Sequence, residues 1–245
     1  MANIRGNDGD NLLRGTSLAD RIWGMSGDDR ILGAGGNDTL DGGEGNDRID
    51  AGQGHNRVFG GEGNDVILAY AGNDVINAGE GNDLVRAGNG NNAVSLGEGN
   101  DLAVTGTGRD TINAGEGNDT VRAGAGNDIV HGGEGDDRIW GEAGADRLIG
   151  HEGNDTLNGG AGNDTMTGGE GADVFVWNGG RDRITDFDRD DDTIDLSAYA
   201  RFDSWGDVRG AASQVGSDVV IRAGADTLVI EDTRLNQLGS DDFDW

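Results

Sequence analysis

Carboxylates recur along this chain at a fixed spacing of nine residues. Steps of nine from Asp20 reach eighteen positions, ending at Asp173, without an insertion or deletion, and all are Asp except Asn56 and Asn92. The residue two positions earlier is Gly at every step but one, where it is Leu18. Carboxylates beside turn carbonyls, in a chain with no Cys and three His, favour a hard cation such as Ca²⁺ over zinc or copper.

The same spacing predicts the elements that position these carboxylates. In one unit, residues 42–50, the first half is Gly-rich and predicts a sharp turn, because Gly tolerates positive φ. The last three residues, Arg48, Ile49 and Asp50, predict a very short strand with Ile49 inward. Such a strand is stable only when it stacks on copies of itself. Two nine-residue units per coil would form an all-β parallel β-roll, a two-sheet solenoid of 18 residues per coil.

Composition indicates that the chain does not fold unaided. Of 245 residues, 49 are Gly and 47 are acidic against 18 basic ones, the net charge is −29, and 33% are hydrophobic. This balance is typical of disorder, so bound metal is expected to supply the missing stability. Absent Pro excludes collagen, absent Cys excludes a disulfide scaffold, and the negative charge argues against nucleic acid as a partner. No apolar run approaches a membrane span, and residues 1–6 lack the apolar core of an N-terminal signal peptide.

The unit also resembles a known family signature. Residues 133–139 and 160–166 follow the pattern G-G-x-G-x-D-x-U-x, in which U is apolar. Residues 6–182 therefore resemble the RTX, or haemolysin-type, calcium-binding nonapeptide proteins. That resemblance implies a calcium-binding β-roll over residues 1–182, with Ca²⁺ between each turn and the turn one coil later.

The resemblance further implies two sets of calcium ligands, which are Asp carboxylates and carbonyls of loop glycines. The implied carboxylate ligands are Asp20, Asp29, Asp38, Asp47, Asp65, Asp74, Asp83, Asp101, Asp110, Asp119, Asp128, Asp137, Asp146, Asp155, Asp164, Asp173 and Asp182. The implied carbonyl ligands are Gly36, Gly45, Gly63, Gly81, Gly99, Gly117, Gly135, Gly153 and Gly162.

Asn56 and Asn92 lower the expected number of strong sites. Both belong to the row of turns that runs from residue 20 to residue 182 in steps of eighteen, whereas the row from 29 to 173 is all Asp. The all-Asp row has eight gaps between successive coils, and five of the nine gaps in the other row keep Asp on both sides. We therefore predict about thirteen strong Ca²⁺ sites and four weak ones, up to about seventeen in all. The alternative is that Asn substitutes for Asp, since its side chain also offers an oxygen.

Residues 183–245 depart from the repeat and predict a β-rich C-terminal cap. Strands are expected at 174–177, 193–196, 218–222 and 227–230, with a helix near 207–214. A cap is expected because the open end of a roll exposes unpaired strand edges. The segment resembles the region after the roll in serralysin-type proteases, and its last five residues resemble the acidic–hydrophobic C-terminal signals of type I secretion. These resemblances imply an extracellular, secreted protein.

Catalytic chemistry is not indicated. His55, His131 and His151 lie at repeat positions, which predicts turn or surface roles, and they form no H-E-x-x-H zinc motif. No G-x-S-x-G elbow is present, and the acidic run 186–192 lacks the required Gly and Glu of an EF-hand. The prediction is therefore a non-enzymatic roll that folds on binding calcium. Two alternatives stay open: an extracellular adhesion or polysaccharide-contact module, and part of a secreted enzyme that acts on polymers.

One apolar strip is expected on an outer face of the roll. Val66, Leu84 and Leu102 should stack on successive coils of one sheet, with Leu68 and Val104 beside them. An exposed strip of this kind predicts contact with a protein or polysaccharide partner. The alternative interpretation is ordinary β-propensity on a flat sheet.

Overall fold

In the computed structural model, which describes all 245 residues, the strands of the repeat region pair in parallel with the strands eighteen residues later. Thr39 pairs with Arg57 in one sheet, while Val66 pairs with Leu84 and Leu84 with Leu102 in the other. Side chains of equivalent position therefore stack in columns along the roll. The predicted all-β, two-sheet roll of 18 residues per coil is confirmed, and so is the stacking of the apolar strip.

Two large sheets and one small one form the molecule. The first sheet contains, in spatial order, fourteen strands: Asn3–Arg5, Arg21–Ser26, Thr39–Glu44, Arg57–Glu62, Val75–Glu80, Ala93–Glu98, Thr111–Glu116, Ile129–Glu134, Arg147–Glu152, Thr165–Glu170, Arg181–Ile184, Asp226–Ile230, Asp218–Ala223 and Ala212–Val215. The second sheet contains twelve: Leu12–Arg14, Arg30–Leu32, Arg48–Gly52, Val66–Ala69, Leu84–Gly88, Leu102–Thr105, Thr120–Arg122, Arg138–Trp140, Thr156–Asn158, Val174–Val176, Thr193–Asp195 and Phe243–Asp244. A two-stranded sheet pairs Ala143–Gly144 with Ala161–Gly162.

Strands of the first sheet are longer than the predicted three residues. Thr39–Glu44 has six residues, because its pairing continues through Gly43 and Glu44 of the next unit before the chain turns. In the second sheet, Arg30–Leu32 has three residues and Arg48–Gly52 has five. The prediction of three-residue strands is therefore wrong for the first sheet, where half of the Gly-rich segment belongs to the strand.

The core is a thin double column of side chains between the two sheets. The apolar residue two positions after each Asp is fully buried, as at Leu40, Ile49 and Ile67. A second inward position, four residues after each repeat Asp or Asn, carries Gly or Ala except at Leu96, Thr105 and Trp177. Each unit therefore buries little apolar surface for the backbone that it orders, as the composition indicates.

After the last repeat the chain extends both sheets and then reverses direction. Arg181–Ile184 pairs in parallel with Asp226–Ile230, and two antiparallel strands, Asp218–Ala223 and Ala212–Val215, continue that sheet. The four strands predicted between residues 174 and 230 are all present, each within one residue of its expected bounds.

The helix after the repeats begins two residues earlier and ends three residues earlier than predicted. Trp205–Ala211 is helical, but residues 212–214 form a strand that pairs with residues of Asp218–Ala223. Nearby, Trp177 is fully buried, and its ring centroid lies 4.4 Å from that of Tyr199. No helix in the structure is both long enough and apolar enough to cross a membrane.

Candidate metal centres in the turns

Two rows of turns hold the periodic Asp residues, one at each edge of the roll. In the acidic row, defined as Asp29 to Asp173 in steps of eighteen, each turn leads from a first-sheet strand to a second-sheet strand. In the mixed row, defined as Asp20 to Asp182 in steps of eighteen and including Asn56 and Asn92, each turn leads back to the first sheet. All these side chains are buried, with at most 3% of each residue exposed. The structure therefore places every predicted carboxylate ligand in one of two continuous columns.

One carboxylate oxygen of each Asp links two coils. Oδ1 of Asp47 accepts a hydrogen bond from the backbone N–H of Asp29, and Oδ1 of Asp65 accepts one from Asp47, both at 2.7 Å. In the mixed row, Asp128 accepts from the N–H of Asp110 in the same way, at 2.8 Å. Each of these oxygens therefore contacts the preceding coil, and the carboxylate group is fixed in orientation between two turns.

The second carboxylate oxygen, Oδ2, has no hydrogen-bond partner in fifteen turns. These oxygens are buried and belong to Asp29, Asp38, Asp47, Asp65, Asp74, Asp83, Asp101, Asp110, Asp119, Asp128, Asp137, Asp146, Asp155, Asp164 and Asp173. A buried carboxylate oxygen without a partner is costly, and a cation is the ligand that would satisfy it. The same unpartnered oxygen recurs in fifteen turns, which indicates that it is a regular feature of the repeat.

In seven of these turns, the Oδ2 atom and a carbonyl oxygen of the next coil face the same small space. A Cβ atom built on Gly42, five residues before Asp47, would lie 2.1 Å from Asp47 Oδ2 and 2.5 Å from the Gly60 carbonyl oxygen. The equivalent point at Gly150 lies 2.0 Å from Asp155 Oδ2 and 2.5 Å from the carbonyl oxygen of the next coil. Two oxygens from adjacent coils therefore converge on one small space, as oxygen ligands of Ca²⁺ do.

These carbonyls are candidate ligands that the sequence analysis did not include. They belong to the residue five positions before the repeat Asp or Asn, which is Gly in most of these turns and Ala51 or Ala78 in two. The predicted carbonyl ligands lie two residues before the Asp. The signal was present in the repeat, since the position carries Gly in the outer coils of the acidic row. In its central coils the same position carries buried Ala78, Leu96 and Ala114.

Asn56 and Asn92 show which backbone group faces the side-chain position that Oδ2 occupies in Asp. Their Oδ1 atoms accept the same inter-coil hydrogen bonds as the Asp residues, from the N–H groups of Asp38 and Asp74. Asn56 Nδ2 donates to the Gly54 carbonyl, and Asn92 Nδ2 donates to the Gly90 carbonyl, both at 3.2 Å. A loop carbonyl equivalent to the predicted ligands therefore lies within reach of this atom, and in an Asn turn the amide satisfies it without metal.

Burial makes the ionised Asp residues unfavourable without a cation. It raises the pKa of Asp65 to about 7, with the neighbouring Asp83 and Asp47 carboxylates adding to the effect. Burial likewise raises the pKa of Asp119 to about 8. A group with a raised pKa binds a proton more readily in the folded state, so the folded turns favour positive charge at these oxygens.

Asp20, at the start of the roll, differs from the other Asp residues. Its Oδ2 accepts hydrogen bonds from the backbone N–H and the hydroxyl of Thr16, at 2.6 and 2.8 Å. Hydrogen bonds from the backbone N–H groups of Ala2 and Thr16 lower the pKa of this carboxyl group. Asp20 is therefore satisfied by the chain itself.

No three acidic or histidine side chains come close enough together to hold a metal ion by themselves. A metal ion in these turns would therefore be bound by one or two carboxylates together with backbone carbonyls. Such an all-oxygen set suits Ca²⁺, which takes six to eight oxygen ligands from carboxylates, carbonyls and water. Its chemistry there is structural, since it neutralises buried charge and joins one coil to the next.

A family model described as the RTX calcium-binding nonapeptide repeat (4 copies) matches overlapping segments that together span residues 5–184. No curated protein sequence matches the chain.

Several solved structures are similar to parts of the chain. The solution structure of the AlgE6R3 subunit of the Azotobacter vinelandii mannuronan C5-epimerase is 30% identical, covering 51% of this chain and 80% of that one, with a TM-score of 0.40. The AlgE6R2 subunit of the same enzyme is 28% identical, covering 47% and 89%, with a TM-score of 0.35. The crystal structure of the extracellular lipase LipA from Serratia marcescens is 21% identical, with a TM-score of 0.40, and the match covers 82% of this chain but 40% of the lipase. Because the family model matches well over half of its residues, this chain belongs to the RTX calcium-binding nonapeptide-repeat family.

Proposed function

We propose that this chain is a secreted calcium-binding β-roll that folds as Ca²⁺ fills its turns, and that it is not an enzyme. The observation that carries the proposal is the set of fifteen buried Asp Oδ2 atoms without a hydrogen-bond partner. Near neutral pH these carboxylates repel one another and lack solvation, so the roll without a cation is unfavourable. A Ca²⁺ ion between two coils would remove both penalties and convert binding free energy into folding free energy.

The proposed strong sites are the gaps with Asp on both sides, about thirteen in all by ligand count. The gap between Asp20 and Asp38 differs from the others that border Asp38 to Asp173, because Thr16 already occupies Asp20 Oδ2. The four gaps that border Asn56 or Asn92 are proposed to be weak. The Nδ2 contacts with the Gly54 and Gly90 carbonyls support this difference, because a Ca²⁺ ion would have to displace them.

Circular dichroism and calorimetry test the proposal together. The full chain is compared in EGTA, in Ca²⁺ and in Mg²⁺, where Mg²⁺ is the matched control because it demands a smaller, octahedral site. We expect a disordered spectrum in EGTA and in Mg²⁺, a β-sheet spectrum in Ca²⁺, and a stoichiometry near the proposed count. An unchanged β-sheet spectrum in EGTA, with the same thermal midpoint, would contradict the proposal.

We further propose that residues 183–245 cap the roll and carry its export signal. The continuation of the first sheet by Asp226–Ile230 and Asp218–Ala223 supports the capping role. Type I export of an unfolded chain into calcium-rich surroundings fits folding that depends on calcium. Removal of residues 241–245 should abolish export through a type I transporter while calcium-induced folding of the purified chain persists. Normal export of the truncated chain would contradict the signal.

The apolar strip of Val66, Leu84 and Leu102 is proposed as a contact surface for an extracellular polymer or protein. Leu102 is 37% exposed and lies in register with Leu84 and Val66, which supports a continuous apolar track. A glycan pull-down in Ca²⁺ with the native chain and with Leu102→Ser tests it. Equal retention of both proteins would assign the strip to sheet formation alone.

A further inference from the structure

Two histidines that the sequence separates come together on the outer face of the first sheet. His131 lies in the strand Ile129–Glu134 and His151 in the next strand, Arg147–Glu152. Nδ1 of His131 is 3.0 Å from Nε2 of His151, and the two rings are stacked with centroids 5.3 Å apart. His151 is exposed and His131 is half-buried, so the pair is open to solvent.

The backbone at His151 is unusual. In the paired strands on either side the same register position carries Gly133 and Gly169, both with positive φ. His151 adopts the same left-handed region, with φ +87°. A side chain in this backbone conformation costs free energy, and the contact with His131 offsets part of that cost. His55, the third histidine, lies apart, and its Nδ1 accepts a hydrogen bond from the Asn73 N–H.

The two ring nitrogens lie at the distance of an N–H···N hydrogen bond, and the same distance fits two ligands of one metal ion. Nitrogens bound at about 2.0–2.1 Å, with an angle between about 90° and 109° at the metal, lie about 2.8–3.4 Å apart. The observed 3.0 Å falls in that range. Imidazole nitrogen suits Cu²⁺, Ni²⁺ and Zn²⁺, whereas Ca²⁺ prefers oxygen.

The surroundings of the pair attract cations. A groove of about 590 Å³ beside His151 is lined by Glu116, Glu134, Glu152 and Glu170. These residues occupy one register position of four successive strands, so their carboxylates form a row along the edge of the sheet. Such a row raises the local concentration of cations. No third histidine or carboxylate completes the site, so water would fill the remaining positions.

We propose that His131 and His151 together bind one divalent transition-metal ion, at a site separate from the calcium turns. The first sheet holds the two strands in register and thereby preorganises the pair. Because this juxtaposition requires the folded roll, the inference rests on the proposed function.

Copper binding to the full chain in saturating Ca²⁺ tests this site. Ca²⁺ occupies the oxygen ligands of the turns, and Cu²⁺ is the probe because imidazole sites bind it most tightly among first-row divalent ions. Calorimetry gives the affinity and stoichiometry, and electron paramagnetic resonance reports nitrogen coupling to the copper. Two variants each remove one ligand and copy a residue that neighbouring strands carry: His151→Gly matches Gly133 and Gly169, and His131→Asn matches Asn113. His55→Asn is the matched control, since other turns carry Asn at that position.

We expect one tight equivalent of Cu²⁺ with coupling to two nitrogens in the native chain and in His55→Asn. Each variant of the pair should lose at least about ten-fold in affinity, since even indirect disturbance of a metal site costs that much. Native affinity and an unchanged resonance spectrum in His151→Gly would overturn the site and leave the two rings as a simple hydrogen-bonded pair. A β-sheet spectrum that does not depend on Ca²⁺ would contradict the proposed function instead. The copper titration would still test the histidine pair, because the pair requires the folded first sheet and not the calcium ions.

Discussion

Exchange of Asn and Asp in the turns should change the number of bound calcium ions by two for each substitution. Asn56 lies between Asp38 and Asp74 in the mixed row, and its Nδ2 donates to the Gly54 carbonyl. In Asn56→Asp that donor becomes an oxygen like the unpartnered Oδ2 of the flanking residues. The gap on each side then has a full carboxylate pair, so both become strong sites. Asp65→Asn, in the acidic row, should do the reverse to the gaps shared with Asp47 and Asp83.

The magnitude follows from linkage. With free calcium at one hundred times the dissociation constant, each site stabilises the folded state by about 2.7 kcal/mol, so two sites contribute about 5 kcal/mol. Asn56→Asp also removes the Nδ2 hydrogen bond, which offsets this gain by about 1 kcal/mol. We expect the free energy of unfolding in calcium to rise by about 4 kcal/mol in Asn56→Asp and to fall by a similar amount in Asp65→Asn.

Calorimetric titration counts the sites, and urea denaturation in calcium measures the free energy of unfolding. Asn64→Asp is the matched control, because it adds the same charge at an exposed turn position where Asp28 and Asp136 occur in other coils. The control should leave the stoichiometry unchanged. An equal number of bound ions in Asn56→Asp and the native chain would refute the assignment of weak gaps to Asn. A gain in Asn64→Asp as large as that in Asn56→Asp would refute the role of the buried position.

Three further predictions follow from the turns, the loop glycines and the end of the roll. Burial raises the pKa of Asp119 to about 8 and that of Asp65 to about 7, from an ordinary value of 3.8. Protons therefore stabilise the calcium-free roll, and this stability is lost as pH rises through the pKa values of the folded state. The chain in EGTA should therefore gain β-sheet ellipticity as pH falls towards about 5, whereas its calcium affinity should fall over the same range; ellipticity that drops on acidification would count against the raised values. Gly45→Ala should destabilise the calcium-loaded roll by about 1–3 kcal/mol in urea denaturation, since Gly45 has φ +121° and a Cβ there would meet the Gly27 backbone. Its control, Gly210→Ala in the helix Trp205–Ala211, has open space around the added methyl group and should be stabilising by about 0.4–1 kcal/mol. Trp177→Ala empties a fully buried site beside Tyr199 and Phe202, so it should lower the free energy of unfolding by about 3–5 kcal/mol. It should also make residues 183–245 sensitive to limited proteolysis, and resistance equal to that of the native chain would disprove the role of Trp177 in holding that segment.

The repeat made the architecture predictable because the residues of each nine-residue unit and the stacking of successive units favour the same structure. Each unit carries its own turn residues, one inward apolar residue and one carboxylate, so an uninterrupted period of nine leaves stacking as the simplest way to bury every equivalent side chain. The C-terminal segment has no such period. Its strands were predictable one by one, but the pairing of Arg181–Ile184 with Asp226–Ile230 depends on contacts between residues far apart in sequence. The strand formed by residues 212–214 was missed because its pairing with Asp218–Ala223 overrides local helix propensity.

Residue types and spacing by themselves determined the roll, its 18-residue coil, the columns of Asp and the preference for calcium. Only the tertiary structure decided which atoms meet. It shows Asp Oδ1 bound to the preceding coil, Oδ2 left without a partner, and the Asn56 amide in contact with the Gly54 carbonyl. It also brings His131 and His151 together, although they are 20 residues apart. The physical reason is geometric. The Asp and His contacts join adjacent coils, and the Asn56–Gly54 contact lies within one turn. The spacing of the coils, the path of the turn and the rotation of each side chain set these distances, and the order of residues along the chain does not specify them.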